Sequence, residues 1–317
     1  MTNHVSNQPN SGAGSPYTAP VSVVIATHNR PELLQLAISG VMAQDYEGTI
    51  ECVVVFDKTE PDHSLELIEG NRSVRVVRNV HTPGLAGARN SGILECTGEY
   101  VAFCDDDDQW MPSKLRVQVG LLAESTALTA VSGIIIDYGN YSTVRVPHSS
   151  DLTLKNLVRR RVMEAHPSSV IVRRDALIGP IGLIDEDIPG SYGEDFDWIL
   201  RAVQAGSIVV ASEPLVRVKW GGSQFSQRWD IIVDAIDYVL EKHAVLSLDP
   251  KGHARLLGRR SFAEAARGRR KEALRGATQT LKLSVLERRA YLAIAVSLRL
   301  VSAEQLLRWA HQRGRGI

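Results

Sequence analysis

Gly98-Glu99-Tyr100-Val101-Ala102-Phe103-Cys104-Asp105-Asp106-Asp107-Asp108-Gln109-Trp110 reads as a strand that stops at four consecutive carboxylates. Tyr100 to Cys104 is a short unbroken apolar run, the pattern of a strand covered on both faces. Adjacent aspartates repel one another and cost stability unless a cation compensates. A hard divalent ion, Mg²⁺ or Mn²⁺, is the natural partner, because it takes oxygen ligands and often joins one or two carboxylates to substrate phosphates. Alternate side chains of extended backbone share a face, so Asp105 and Asp107 are placed to converge on one ion. A solvated acidic turn is the plainer reading of such a run. Its position after an apolar strand, followed by Trp110 and Pro112 rather than more charge, favours a metal site.

Upstream, the same strand–loop–helix unit recurs. Val21 to Ala26 is a nearly continuous apolar run ending in Thr27-His28-Asn29-Arg30-Pro31. Pro31 suits the first turn of a helix, and Leu33, Leu34, Ala37, Ile38, Val41 and Met42 follow at helical spacing. Ile50 to Phe56 is a second strand ending at Asp57, Pro61 to Gly70 is expected to form a short helix, and Val74 to Val77 is a third strand. Pro83-Gly84-Leu85-Ala86-Gly87-Ala88-Arg89-Asn90-Ser91-Gly92 opens a helix running to about Thr97. Helix N-terminal N–H groups favour anions, and Arg89 can reach a phosphate or an aspartate. The glycines are equally a packing device, and no P-loop or dinucleotide fingerprint is present. Lys114 to Leu122 is the next helix. Such repeats imply an α/β fold with a mostly parallel central sheet covered by helices. Thr27, Asn29, Asp57, Arg89 and Asp105 to Asp108 then lie at one sheet edge, where α/β sheets bind ligands. Asp57 can accept from a base or sugar, or serve as a cap.

The second half is more mixed. Ala127 to Tyr138, Thr143 to Val146, a stretch around Val170 to Val172, Ile208 to Ala211 and Leu215 to Trp220 read as strands, and Leu152 to Arg161 as a helix. His166 alone reads more readily as structural than catalytic. Glu194 and Asp195 open a helix whose apolar face is Phe196, Ile199, Leu200 and Val203. Carboxylates there complement the helix dipole, and the same place keeps a general base ionised. Gly221 to Gln227 reads as a mobile loop. From Arg228 on, helices are expected over 231–243, 254–267, 271–283 and 286–310. The composition divides the chain into a disordered tail over 1–19, a strand-rich domain over 20–226 and a C-terminal helical region over 227–317.

The chain has 317 residues, 44% hydrophobic and 23% charged, which is ordinary for a globular protein. Lys+Arg and Asp+Glu both total 36, so overall charge gives no reason to expect a nucleic-acid partner. Arginines gather after Arg255, at Arg259, Arg260, Arg267, Arg269, Arg270 and Arg275. Cys52, Cys96 and Cys104 are odd in number and lack CxxC spacing, so buried reduced thiols are expected. With no signal-peptide pattern and no apolar run of the roughly 20 residues that span a bilayer, the expectation is a cytoplasmic protein. The stretch Arg289 to Leu300 packs a helix bundle or, as the alternative, lies peripherally on an anionic membrane; oligomer formation through these helices is a further option.

Taken in series, Val21 to Arg30, Gly87 to Gly92, Gly98 to Trp110 and Gly193-Glu194-Asp195-Phe196-Asp197-Trp198 resemble a family 2 glycosyltransferase of the GT-A fold over roughly residues 20 to 225. The resemblance implies an inverting hexosyltransferase that moves a sugar from a UDP-, dTDP- or GDP-sugar to an acceptor hydroxyl. That acceptor is a glycan, a lipid-linked sugar or a small molecule. It implies that Thr27, Asn29, Arg30 and Asp57 hold the nucleoside, with Arg89 near the diphosphate. Asp105, Asp106 and Asp107 cover the family's D-x-D element, with Asp107 the likelier direct ligand of Mn²⁺ or Mg²⁺ and Asp108 beside it. Asp195 matches the base, with Glu194 as runner-up. Many relatives carry a histidine just after the strand ending near Trp220; here Gly221-Gly222-Ser223-Gln224 stands instead, leaving Ser223, Gln224, Arg217 or Lys219 to serve. A catalytically silent nucleotide-sugar-binding subunit is the alternative. A haloacid-dehalogenase-like phosphatase fits poorly, since Gln109 occupies its Thr/Val position.

Overall fold

The structure is a computed structural model that describes residues 16–139, 141–219 and 228–312. Its first half alternates strand and helix: β1 (Val21–Thr27), α1 (Pro31–Met42), β2 (Ile50–Phe56), β3 (Leu67–Glu69), β4 (Arg72–Arg78), α2 (Leu85–Glu95), β5 (Tyr100–Phe103), β6 (Gln109–Trp110) and α3 (Lys114–Ala123). There follow β7 (Thr129–Asp137), β8 (Ser142–Arg145), α4 (Leu154–Arg159), β9 (Val170–Arg173), α5 (Arg174–Ile178), α6 (Glu194–Ala205) and β10 (Ile208–Lys219). The rest is helical: α7 (Trp229–Lys242), α8 (Val245–Leu248), α9 (Pro250–Ala266), α10 (Arg270–Leu283), α11 (Arg288–Ser297) and α12 (Ala303–Gln312).

One sheet runs through the molecule in the order β3-β4-β2-β1-β5-β9-β7-β10-β6, with β8 paired to β7. Strands β4, β2, β1 and β5 are mutually parallel, so the chain leaves each of them at the same edge. Antiparallel β9 joins this block to the parallel pair β7–β10. Strand periodicity divides the core. Val21, Val23 and Ile25 of β1 point to a face shared with Leu34, Ala37, Leu115 and Val119, whereas Val24 points to the other, with Ile93, Phe196, Ile199 and Ile232. Helix α2 lies close against that second face because residue 92 has no side chain: a Cβ there would stand 2.5 Å from Val24 and 2.9 Å from Val55.

Several expectations differ from what is found. The helix expected over 61–70 is a 3₁₀ turn, His63–Leu65, followed by β3. Asp62 caps that turn through the Ser64 N–H, and Leu67 to Glu69 then pair antiparallel with β4, whose outer edge was otherwise open. The strands expected at 208–211 and 215–220 are one strand, β10, shifted in register around Pro214, which has no N–H to give the ladder. The helix expected over 286–310 is two, α11 and α12. It breaks where Arg299 adopts φ +61° and the Leu298, Arg299 and Leu300 N–H groups bond back to Ile294, Val296 and Ala295. Pro16–Thr18, placed in the tail, form a 3₁₀ turn, and the carbonyl of buried Ala19 accepts from the Tyr46 hydroxyl. The rest of the tail and the loop 220–227 lie outside the described residues.

The change of composition near residue 226 does not interrupt the packing. Ile232, Val233, Ile236, Val239, Leu246 and Leu256 join the same buried cluster as Val24 and Phe196. Asp197 of α6, fully buried, accepts from Arg201 at 2.8 and 3.0 Å and lies 2.7 Å from both His243 Nε2 and Lys242 Nζ, which ties α6 to α7. Alanines of α9 to α11 form a smaller core around Phe262. All three cysteines are buried free thiols, and no described helix is long and apolar enough to cross a membrane.

Among the described residues, one buried cation is answered only by an aromatic ring. Lys114 is 0% exposed, its ammonium sits 4.0 Å from the Trp110 ring centroid, and it has no hydrogen-bond partner among the described residues. Burial pushes this group down to about 7. The unfolded chain titrates near 10.4, so between these values the unfolded state holds more protons and stability rises with pH. Lys114→Met is expected to stabilise the protein at pH 7 by on the order of 1–3 kcal/mol. It should also flatten the rise of melting temperature between pH 7 and 10; a melting temperature lowered at pH 7 would contradict this.

Candidate active site

The acidic strand end, the loops after β1 and β2, and the start of α6 meet at one place. Arg89, from the middle of α2 and 3% exposed, donates from Nη2 to Asp105 and from Nη1 to Glu194, each at 2.6 Å. Burial alone would weaken its charge, but the two carboxylates more than offset this and hold the guanidinium firmly protonated. One side chain thus brackets the acidic run and the carboxylates that open α6. Gly193, at φ +84°, turns the chain into that helix with a backbone that other residues rarely adopt.

The four aspartates have distinct surroundings. Asp106 accepts from Thr27 Oγ1 and Arg30 Nη1, both at 2.9 Å, and Asp107 accepts from the same Arg30 nitrogen at 2.9 Å. Asp105 takes Arg89, and its N–H donates to Ser168 Oγ at 3.0 Å. Asp108 accepts from Ser168 Oγ at 2.6 Å and lies 3.4 Å from His166 Nδ1. Burial pushes the Asp108 carboxyl up to about 7; burial also acts on Asp105, but Arg89 outweighs it and holds that carboxyl below its usual range. Asp105, Asp108 and His166 each offer one ligand atom, all within 4.8 Å of one another. Two carboxylates and an imidazole suit Mn²⁺ and, less closely, Mg²⁺. Asp107 stands beside this group on Arg30 rather than within it. His166, just before β9, completes this group, while the positions after Trp220 considered for a third ligand lie outside the described residues.

The remaining expected residues share this sheet edge. Asn29 adopts φ +53° directly after β1, and Lys58 φ +57° directly after β2, backbone cost concentrated where the strands end. Asp57 accepts from the Asn79 side chain at 2.8 Å and the Gly84 N–H at 3.2 Å, so in this structure it braces the turn before α2. Arg217 lies 3.5 Å from Asp137, and Ser223 and Gln224 fall outside the described residues.

Glu194 and Asp195 are driven apart. Burial raises Glu194 to about 7, with Arg89 opposing. Asp195 is also buried, but Arg161, then His166, outweigh this and keep it ionised. Arg161 pairs with one Asp195 oxygen, while the other accepts from the Phe196 N–H at 2.8 Å. Asp195, not Glu194, lines a small pocket with Arg89, Phe103, Pro167, Ile184 and Trp198. Sequence reasoning missed Arg161, Ser168 and the part played by His166. The signal available was the string His166-Pro167-Ser168-Ser169, which leads polar groups into an apolar strand.

The mixed α/β sheet that carries this acidic strand end has the GT-A fold. In S. aureus TarS in complex with UDP-GlcNAc, 92% of the chain superposes on 93% of this one with a TM-score of 0.61 at 17% identity. The mannosyltransferase PcManGT from Pyrobaculum calidifontis, in complex with GDP-Man and Mn²⁺, covers 96% of this chain and 88% of its own with a TM-score of 0.54, also at 17% identity. Residues 22–179 match the glycosyl transferase family 2 model, and the chain belongs to that family. A curated relative is the UDP-Glc:alpha-D-GlcNAc-diphosphoundecaprenol beta-1,3-glucosyltransferase WfgD of Escherichia coli, 28% identical over 125 residues. That match covers 39% of this chain and 46% of the relative, so the chain spans about half the length of the curated relatives it first matches.

Removing Arg89 leaves Asp105 and Glu194 buried and uncompensated. Arg89→Met is expected to cost about 3–5 kcal/mol in denaturant unfolding. A loss under about 1 kcal/mol would show that the bracket does not hold the site together.

Proposed function

We propose that this chain transfers a hexose from a nucleotide-diphosphate sugar to an acceptor hydroxyl, with inversion at the anomeric carbon. The observation that carries this reading is the Arg89 bracket, which sets the acidic strand end and the α6 carboxylates against one another across a single guanidinium. Family membership supports the reaction class, and the nucleotide sugars in the TarS and mannosyltransferase complexes support a UDP- or GDP-sugar, with a dTDP-sugar the third candidate.

In this reading Thr27, Asn29, Arg30 and Asp57 hold the nucleoside, and Arg89 lies beside the diphosphate. Asp105, Asp108 and His166 hold a divalent cation, with Asp107 adjacent. A cation held there supplies positive charge to the departing diphosphate. Asp195 accepts the proton of the acceptor hydroxyl as that oxygen bonds to the anomeric carbon. The bond to the diphosphate breaks on the opposite face and the diphosphate keeps the electron pair. Asp195 suits this role because its surroundings keep it ionised and it faces the pocket. Glu194 suits the bracket, because both its charge and its position are taken by Arg89.

Asp195→Asn is expected to lower sugar transfer by about 10²–10⁴-fold with nucleotide-sugar binding retained. Transfer surviving within about tenfold would remove Asp195 from this role. Donor binding without turnover in the unaltered chain would favour the silent binding subunit instead. His166→Ala is expected to weaken Mn²⁺ binding, followed by electron paramagnetic resonance, by more than about tenfold; unchanged Mn²⁺ binding would place the cation elsewhere.

A further inference from the structure

Beside Asp195 lies a group of arginines of which the proposed transfer chemistry uses only Arg161. Arg255 and Arg259 project from α9 over aromatic rings at the start of α6, with Arg255 Cζ 5.4 Å from the Phe196 centroid and Arg259 Cζ 5.3 Å from that of Tyr192. Arg161 reaches Asp195 with its side chain 42% exposed, and Arg289 of α11 pairs with Glu287 at 2.9 Å. These guanidiniums repel one another: burial first, then Arg289, Arg259 and Arg161, brings Arg255 down to about 10. Arg255 Nε and Nη2 are buried with no hydrogen-bond partner among the described residues, and neither has Arg289 Nε. Asp195 and Glu287 are the carboxylates that answer the cluster, since Glu194 is committed to Arg89. None of the residues outside the described set is Asp or Glu, so no acidic side chain among them neutralises the excess.

Unpaired buried guanidinium N–H groups are costly, and guanidiniums gathered close enough to repel one another suit a bidentate oxyanion. We infer that Arg161, Arg255, Arg259 and Arg289 form a phosphate-binding subsite for the acceptor, which therefore carries a phosphate or diphosphate close to the hydroxyl that Asp195 serves. The inference rests on the proposed transferase reading and adds the chemical class of the acceptor. The phosphate is either soluble, as in a sugar phosphate, or borne by a lipid.

The test is calorimetry on the full chain with Mn²⁺ and UDP present, so that the donor's own diphosphate site is filled. The probes are glucose 1-phosphate, inorganic pyrophosphate, neutral methyl glucoside, and phosphatidylcholine vesicles with and without a polyprenyl diphosphate sugar. The phosphorylated probes should bind at least about tenfold tighter than methyl glucoside. Arg255→Gln and Arg259→Gln should each erase that gain, while Arg255→Lys, which keeps the charge but not the planar fork, keeps only part of it. Should the glutamine variants melt early, Arg289→Gln, at a partly exposed position, decides in the same way. Vesicle binding stronger than that of glucose 1-phosphate assigns a lipid-borne phosphate, and equal binding a soluble one. No gain from phosphate, or a gain unchanged in the glutamine variants, overturns the subsite. Failure of UDP to bind the unaltered chain overturns the donor reading instead, and the arginine variants still decide the subsite.

Discussion

Two salt bridges on one buried arginine organise the sheet edge where the acidic residues gather. A guanidinium as enclosed as Arg89 is tolerable only with carboxylates on more than one side, and Asp105 and Glu194 come from distant parts of the chain. The position of Arg89 depends in turn on α2 lying close to β1 and β2, which the missing side chain at Gly92 permits. A packing detail under the sheet therefore sets where two segments of the site meet above it.

The same constraint sorts the acids by task. Near the acidic strand end, Asp105 is kept charged by an arginine, whereas Asp108, beside Ser168 and His166, is raised by burial. At the start of α6, Glu194 is raised and Asp195 lowered, although they are neighbours in sequence. Pairs of carboxyls pushed in opposite directions are how a fold assigns different roles to chemically similar groups.

Much of this was legible in the sequence, for identifiable reasons. Apolar runs at β1, β2 and β5 ending in polar loops fix a parallel block and its ligand edge, because both faces of each strand are buried. Asp105 and Asp195 stood out because carboxylates at element ends are visible by position. Ser168 and His166 carried only a faint local signal, since the strand they precede, β9, reaches the site by inserting antiparallel between β5 and β7, a topology that no local pattern encodes. The edge strand β3 was missed because edge pairing depends on an open neighbour rather than on the segment's own propensity. The arginines of α9 were visible in the sequence only as a local excess of basic residues. They became part of a site only when the fold brought α9 to the start of α6, where Arg255 lies over the Phe196 ring and Arg259 over that of Tyr192.

In the proposed reading, that packing places a competition at Asp195. Arg161 holds Asp195 ionised, which secures its charge but lowers its appetite for a proton. A general base gains proton affinity when a cationic partner is drawn off it, and an oxyanion arriving among these arginines is the kind of group that draws Arg161 away. In that reading, Asp195 stays charged and weakly basic while Arg161 is committed to it, and gains basicity when an anionic acceptor shares that arginine. In such an arrangement the charge that recognises the acceptor also tunes the group that deprotonates it, so acceptor recognition and proton removal rest on one guanidinium.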